Sequence, residues 1–385
     1  MRPAARRIPR VARLMSLTAL LLAVLVVIVV IGAPLKMAGA QRLFGSVVLA
    51  DEKTPARGAL IIAIDTAGVA QARELANARG EFVIPVSHPG RYTVSALRVG
   101  SREETVSNVV VETGKDIRLR IVMARDVPRP GPLSARSPEQ CNIAADTTAL
   151  GHAWTQFLIV LATADVASDA GAFVGTWSRR DVDLKKNLRD TLAVRDTTQR
   201  AGLDVPLFAT MPPDSSALIG FVTETDAGIR YNVPDVETLR SPEFMLRRCF
   251  AFVPPPLTQP GWFGIHFRST AFRLGNSNIE GTVWLDRATL EPRGLGYRYL
   301  NLPPAYLPAE PGGTLRFLQL PTGHWIVDEW THRIPAGVFR RMFVYDRGGS
   351  PVAYAGQLTL DGVHAVTMRL SNLEVNGTSI LRRPE

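Results

Sequence analysis

Short alternating segments separated by turn residues are the feature that most limits how this chain can fold. Between Gly45 and Gly100, apolar and polar residues alternate, and glycine or proline recurs at regular intervals. A two-residue repeat directs alternate side chains toward a core and toward water, which is typical of β-strands. We therefore expect about seven short strands within residues 41–124, packed as the two sheets of a β-sandwich.

The spacing of turn residues in this stretch also resembles that of a known family. The matching positions are turn residues and their neighbours: Gly45, the turn 55–58, Gly80 with Phe82, and Pro89-Gly90-Arg91-Tyr92 leading to Gly100. They are similar to the carboxypeptidase regulatory-like domain. The resemblance implies a prealbumin-like sandwich, related to carbohydrate-binding-like folds. It carries over no catalytic residue, because this domain is the non-catalytic part of zinc carboxypeptidases and also begins many TonB-dependent outer-membrane receptors.

Residues 1–40 have the composition of an export signal. Five arginines precede an uncharged apolar run from Leu14 to Leu35, and Ala-Gly-Ala follows just before Gln41. Small residues at Ala38 and Ala40 fit cleavage after Ala40. The run 14–35 is also long enough to span a bilayer as a helix of about 20 residues. A cleaved signal peptide and a retained membrane anchor both stay open, and both place the remaining chain in the periplasm or outside the cell.

The net charge of +9 is concentrated in this leader. Residues 1–40 contain six basic residues and no acidic one, which leaves +3 for the rest of the chain. The remainder has no basic helix or stripe, so we expect no binding to nucleic acid.

The chain contains two cysteines, Cys141 and Cys249. An oxidising compartment favours a disulfide between them, and two unrelated buried thiols are the alternative. No CxxC pair is present, which argues against thioredoxin-like redox chemistry.

Beyond the sandwich, the sequence predicts a proline-rich linker at 125–140 and an α+β region at 141–385. Apolar residues with helical spacing predict one helix, which packs on a sheet: Leu150, Trp154, Phe157, Leu158 and Leu161. From about residue 261 the pattern is nearly all strand and predicts a large antiparallel sheet. The expected fold class is thus mainly β: a leader or transmembrane helix, a β-sandwich, and then the α+β region.

The sequence holds no recognisable catalytic or metal-binding constellation. None of its six histidines has a glutamate three residues on, and no GxSxG, P-loop, HExxH or EF-hand loop is present. His324, Asp328 and His332 share one face of a predicted strand, but neighbours among them would lie about 13 Å apart. One metal ion cannot bind ligands so spaced. We therefore expect no catalytic residue, no metal and no cofactor.

Three tryptophans and a leucine in the predicted sheet offer a candidate ligand surface: Trp284, Leu295, Trp325 and Trp330. Such residues line apolar or sugar-stacking surfaces, and ordinary core packing is the alternative. The segment 279–303 is similar to the sheets of periplasmic outer-membrane lipoprotein carriers, in which a half-barrel wraps a helix and shelters an apolar cavity.

These observations predict an exported, non-enzymatic protein of the cell envelope that acts as a binding or scaffold module for a glycan, protein or lipid. One alternative is a periplasmic carrier that holds an apolar ligand in the carboxy-terminal sheet. A further alternative is a hydrolase whose site is assembled from distant strands. It would require two or more of His266, His324, His332 and His364 to meet a carboxylate in a cleft.

Overall fold

The computed structural model describes residues 41–383 except 125–129, 132, 142, 144–147, 170–172, 204–207, 226–227, 271–276 and 346–350. The protein is mainly β, as predicted. The predicted leader and its apolar run 14–35 lie outside the described residues. Among the helices that are described, none combines the length and apolar character needed to cross a bilayer.

The amino-terminal part is a sandwich of seven strands: β1 (Gln41–Leu49), β2 (Leu60–Asp65), β3 (Ala70–Leu75), β4 (Glu81–Val86), β5 (Gly90–Leu97), β6 (Glu104–Val111) and β7 (Ile117–Met123). One sheet has the order β4-β1-β7 and the other β3-β2-β5-β6. Alternate residues, such as Leu43 and Val47 of β1, are fully buried between them. Gly80 has φ +74°, and a Cβ there would lie 2.4 Å from the carbonyl oxygen of Val47, so this turn requires glycine.

An eleven-stranded antiparallel sheet dominates the rest of the molecule. Its strands are β8 (Gln140–Cys141), β9 (Phe173–Lys185), β10 (Thr191–Gly202), β13 (Arg248–Val253), β14 (Trp262–Ser269), β15 (Ile279–Asp286), β16 (Pro292–Tyr299), β17 (Gly312–Gln319), β18 (Trp325–Tyr345), β19 (Pro351–Val375) and β20 (Thr378–Arg382). Their order is β10-β9-β19-β18-β17-β16-β15-β14-β13-β8, with β20 beside β19. The strands β11 (Val222–Thr225) and β12 (Gly228–Tyr231) form a separate hairpin.

One long helix, α1 (Ala149–Asp169), lies between the two parts. The short helices are α2 (Pro213–Ile219), α3 (Val236–Arg240), α4 (Pro242–Leu246) and a 3₁₀ turn at Pro304–Ala309. On one side of α1, Trp154 and Phe157 pack into the core of the large sheet. On another side, Val166 packs against Leu60 and Leu75 of the sandwich. A helix that is apolar around its circumference is stable only when it is covered on all sides, and the two parts together cover it.

Polar contacts reinforce this junction. The Asp165 carboxylate lies 2.8 Å from the guanidinium groups of both Arg73 in the sandwich and Arg240 in α3. The Gly100 amide donates a 2.8 Å hydrogen bond to Oε1 of Gln156, a side chain that is only 4% exposed. The sandwich is therefore packed directly against the helix.

The large sheet is wider than the sequence indicated. It begins before residue 261, because β8, β9, β10 and β13 all belong to it. Within this sheet, β18 is one continuous strand, Trp325–Tyr345, that runs through Pro335. The pairing of β17 with β18 ends at Arg333, so Pro335 is paired on one side only, with β19, which is an edge-like position that tolerates proline. The predicted linker also packs: Leu133 contacts the main core, and Ser137 exchanges two hydrogen bonds of 2.9 Å with the Phe252 backbone.

Candidate functional site

Cys141 and Cys249 form a disulfide, as predicted. They are directly opposite each other in the β8–β13 ladder, 108 residues apart in sequence. The bond closes a loop that contains α1, β9 and β10. It therefore fixes the edge of the large sheet to the chain that enters the central helix.

The structure divides the four residues predicted to form one ligand surface. Leu295 and Trp325 are buried in the core between the large sheet and α1, and Trp330 is partly buried against the same core. Trp284 belongs to the opposite face, because it is paired with Gly294 while Leu295 is paired with Val283. The four side chains therefore do not line one cavity. The apolar face that a carrier would offer to a ligand is covered by α1.

The outer face around Trp284 has its own organisation. In β14, Phe263, Ile265 and Phe267 are fully buried, which turns the alternate residues outward. We call the resulting outward surface of three strands the outer platform: Trp262, Gly264 and His266 of β14, Thr282 and Trp284 of β15, and Gly294 and Gly296 of β16. Both tryptophans are partly exposed.

Glycines make the aromatic end of the outer platform flat. Trp284 has Gly264 on one side and Gly294 on the other in the strand registers. A Cβ on Gly264 would come within 2.8 Å of the Trp284 ring, so the indole lies across this glycine. A Cβ on Gly296 would meet nothing within 4 Å, which means that the surface there is open.

A hydrogen-bonding row adjoins this aromatic end. His266, Thr282, Gly296, Thr314 and Thr331 are successive partners across five strands. His266 Nδ1 lies 3.1 Å from Thr282 Oγ1, and the hydroxyls of Thr314 and Thr331 are 2.7 Å apart. Burial, helped by the nearby charge of Arg136, lowers the pKa of His266, so its ring is neutral at pH 7.

Two ion pairs border the hydrogen-bonding row. Arg268 donates to Glu139 from Nε at 2.8 Å, and this hydrogen bond is the main cause that lowers the pKa of Glu139. Arg298 is paired with Glu280 on the neighbouring strands. Glu139 also contacts Arg136 at 2.7 Å, so these charges at the border are all in ion pairs, with one arginine in excess.

The inner face carries a separate polar cluster around His332. Its Nε2 lies 2.9 Å from the Tyr299 hydroxyl, which donates a 2.8 Å bond to the backbone oxygen of Asn232. His332 is 7% exposed, and burial lowers its pKa to about 4. The buried hydroxyl of Tyr231 has no hydrogen-bond partner among the described residues.

His364 lies diagonally across from His332 on β19 and contacts two carboxylates. Its Nδ1 is 2.7 Å from Asp183 Oδ1, and its Nε2 is 3.3 Å from Asp181 Oδ1. The sheet thus brings two histidines and two carboxylates to one face, which is part of what the hydrolase alternative requires. Both ring nitrogens of His364 and Nε2 of His332 are already engaged, however, as in a structural network. In the described part of the chain, no three His, Cys, Asp or Glu side chains are arranged to hold a metal ion.

Sequence reasoning missed Trp262 as a surface residue and grouped Trp284 with residues of the opposite face. The sequence did contain a signal. When β15 and β16 are paired across the Asp286–Pro292 turn, Trp284 lies opposite Gly294 and Leu295 lies opposite Val283, so Trp284 and Leu295 point to different faces of the sheet. Trp262 lies opposite Asp286, which is two residues from Trp284 on β15. Trp262 therefore points to the same face as Trp284.

Comparison with solved structures gives several partial likenesses. A chain of a type II cohesin–X-dockerin complex from Acetivibrio cellulolyticus is 19% identical over 22% of this chain and 56% of its own length, with a TM-score of 0.18. The 5-hydroxyisourate hydrolase of Klebsiella pneumoniae is 17% identical over 22% of this chain and 91% of its own, with a TM-score of 0.19. The minor pilin of Streptococcus agalactiae is 18% identical over 25% of this chain and 48% of its own, with a TM-score of 0.20. This chain therefore spans about half the length of the cohesin–dockerin and pilin chains, and such low scores carry no functional argument.

No curated protein matches the sequence. Residues 42–124 do match the family model of the carboxypeptidase regulatory-like domain. A module of this kind fits a binding or scaffold role. The amino-terminal sandwich of this protein is therefore a carboxypeptidase regulatory-like domain, and it makes up about a fifth of the chain.

Proposed function

We propose that this protein is an exported, non-enzymatic binding protein of the cell envelope and that its outer platform binds a glycan. The observation that carries the proposal is the pair of partly exposed tryptophans, Trp262 and Trp284, on a flat face with a glycine floor. The row that begins at His266 and Thr282 lies beside them.

This combination suits the chemistry of a sugar. The C–H face of a pyranose packs on an indole ring, and its hydroxyls exchange hydrogen bonds with hydroxyl and imidazole groups. Gly264 lies beneath the Trp284 indole, and Gly294 on the other side carries no side chain, so a flat ring can approach the partly exposed indole.

Export is supported by two features. Basic residues, a long apolar run and small residues at Ala38 and Ala40 form an export signal, and cleavage after Ala40 would keep all seven described strands of the sandwich. The Cys141–Cys249 disulfide is the kind of bond that persists in an oxidising compartment. Mass spectrometry of the native protein tests export directly: an amino terminus at Gln41 is expected, and a cytosolic protein that begins at Met1 would contradict it.

Binding is tested with the chain that begins at Gln41, on a glycan array and on purified peptidoglycan. Trp284→Ala removes the stacking surface. Gly296→Thr places a side chain in open space on the platform, so it blocks the surface without a clash. We expect each variant to lose about tenfold or more in affinity, the effect of removing or covering a central aromatic contact.

Gly90→Thr is the matched control, because a Cβ at Gly90 in the sandwich makes only ordinary contact, 3.8 Å from the Tyr92 ring. It should bind like the wild type. Platform variants that bind as well as this control would contradict the assignment of the site. If the protein instead binds lipid vesicles or another protein, and the platform variants lose that binding, the location of the site would be supported and the glycan ligand would be rejected.

A further inference from the structure

The strand β10 is an open edge of the large sheet. It is last in the strand order and pairs only with β9 among the described residues. Nine of its twelve residues are exposed and none is buried. Leu192 and Val194 are 68% and 49% exposed. The outer side of such a strand presents a row of backbone donors and acceptors to solvent.

Edge strands are usually protected against pairing, and β10 has little protection. Proteins blunt their edges with short strands, prolines, bulges, covering loops or charged side chains, and along 194–202 β10 has only the last of these, at Arg195, Asp196 and Arg200. β10 is twelve residues long and contains no proline, and its single register shift lies at its start, between Thr191 and Ala193. The remaining stretch, 194–202, is regularly paired to β9 and extends straight along the edge.

We propose that β10 pairs antiparallel with β10 of a second copy of this chain, so that the two large sheets become one. A two-fold axis perpendicular to the sheet relates the two strands, and residues directly opposite each other must point to the same face. The axis must therefore pass through one residue and its own copy. This condition leaves only a few registers, and the charges on β10 distinguish them.

Centring the pair on Arg195 puts arginine opposite arginine, and centring it on Asp196 puts aspartate opposite aspartate. Centring it on Thr197 brings no opposite charges together. Centring it on Thr198 places Asp196 opposite Arg200 of the second copy, and does so twice because of the symmetry. Opposite charges that face each other across strands stabilise a pair, whereas like charges oppose it. The register centred on Thr198 is therefore favoured.

The side chains that would form these ion pairs, Asp196 and Arg200, are exposed to solvent in the single chain. Asp196 lies 3.0 Å from Arg180 and remains 62% exposed, and Arg200 contacts Glu374 at 2.5 Å and is also 62% exposed. Pairing would join them into a row of alternating sign, Arg180–Asp196–Arg200–Glu374, in which the last two belong to the second copy. Because the ladder covers only nine residues per chain, we expect association that depends on concentration.

Cysteine crosslinking tests the register. Cys141 and Cys249 are already bonded, so Thr198→Cys would introduce the one free thiol. Its copy would lie directly opposite, within reach of a disulfide. With oxidised glutathione as the oxidant, Thr198→Cys should form a covalent dimer. Thr197→Cys is the control, since it faces the other side and its copy is two residues out of register.

Sedimentation of the uncrosslinked protein tests the charges. Asp196→Arg should weaken dimerisation about tenfold, and adding Arg200→Asp should restore it, because the opposite charges face each other again. Both variants should keep the wild-type melting temperature to within a few degrees. A wild type that stays monomeric at the highest soluble concentration would overturn the proposal. So would equal crosslinking at positions 197 and 198, or a double variant no better than the single one.

Discussion

Mild acid should destabilise this protein before its carboxylates protonate, because two histidines are buried in their neutral form. Burial lowers the pKa of both His324 and His332 from 6.5 to about 4. His332 lies against Phe208 and Tyr299, and the charge of His364 lowers its pKa further. Protonation of either ring in the folded protein would bury a charge with little compensation.

The direction of the effect follows from proton linkage. Above about pH 6.5 both states are neutral at these histidines, and the free energy of unfolding does not depend on them. Between about pH 6.5 and pH 4 the unfolded chain binds a proton that the folded chain does not, so stability falls as the pH falls. Each histidine contributes at most about 1.4 kcal/mol per pH unit, or about 3 kcal/mol over the whole interval. Asp181 and Asp183 have lowered pKa values and affect stability chiefly below about pH 4.

Urea unfolding at several pH values between about 7 and 4.5 measures this effect. The wild type should lose stability with a slope that approaches two protons from His324 and His332, with a further part from His266, whose pKa is also lowered by burial. His332→Gln keeps a partner for the Tyr299 hydroxyl and should reduce the slope by about one proton, while His88→Gln, a substitution at an exposed histidine, should leave it unchanged. A wild type whose stability is flat over this range, or a His332→Gln variant with the full slope, would refute the reasoning.

Three further outcomes follow from the packing. Reduction of the Cys141–Cys249 disulfide should cost about 3–5 kcal/mol in a loop-entropy model, because it opens a loop of about 100 residues; an unchanged urea midpoint with reductant would contradict this. Phe157→Ala should cost about 3–5 kcal/mol, since the ring is fully buried against the large sheet, whereas Phe157→Leu should cost much less in the same assay. Asp165→Asn removes the carboxylate between two arginines and should speed hydrogen exchange in β3, and equal exchange in both proteins would show that this contact does not hold the sandwich.

Local pattern was sufficient for the sandwich and for α1. Alternation and turn residues predicted about seven strands within residues 41–124, but β3 does not itself alternate, because its sequence AQAREL is polar and exposed on both sides. Such an edge strand is defined by its pairing with β2, which a single segment does not reveal. Pairing also defines β18, which continues through Pro335 because its pairing with β19 does not stop there.

The candidate site was predicted less well, because side-chain type indicates chemistry but not direction. Trp284 and Trp325 are equally suitable for a ligand by composition. Pairing decides between them: Trp284 shares its row with Gly264 and points outward, whereas Trp325 points into the core beneath α1. Glycines opposite a tryptophan on both neighbouring strands are the signal that identifies an open aromatic surface, and reading it requires the register.

Equilibrium binding of the chain that begins at Gln41 to peptidoglycan and to the array's strongest glycan tests the central claim most directly. Wild type and Gly90→Thr should bind alike, and Trp284→Ala should bind at least about tenfold more weakly while retaining the wild-type melting temperature. Equal binding by all three proteins, or no glycan bound by any of them, would contradict the assignment of the outer platform as a glycan site.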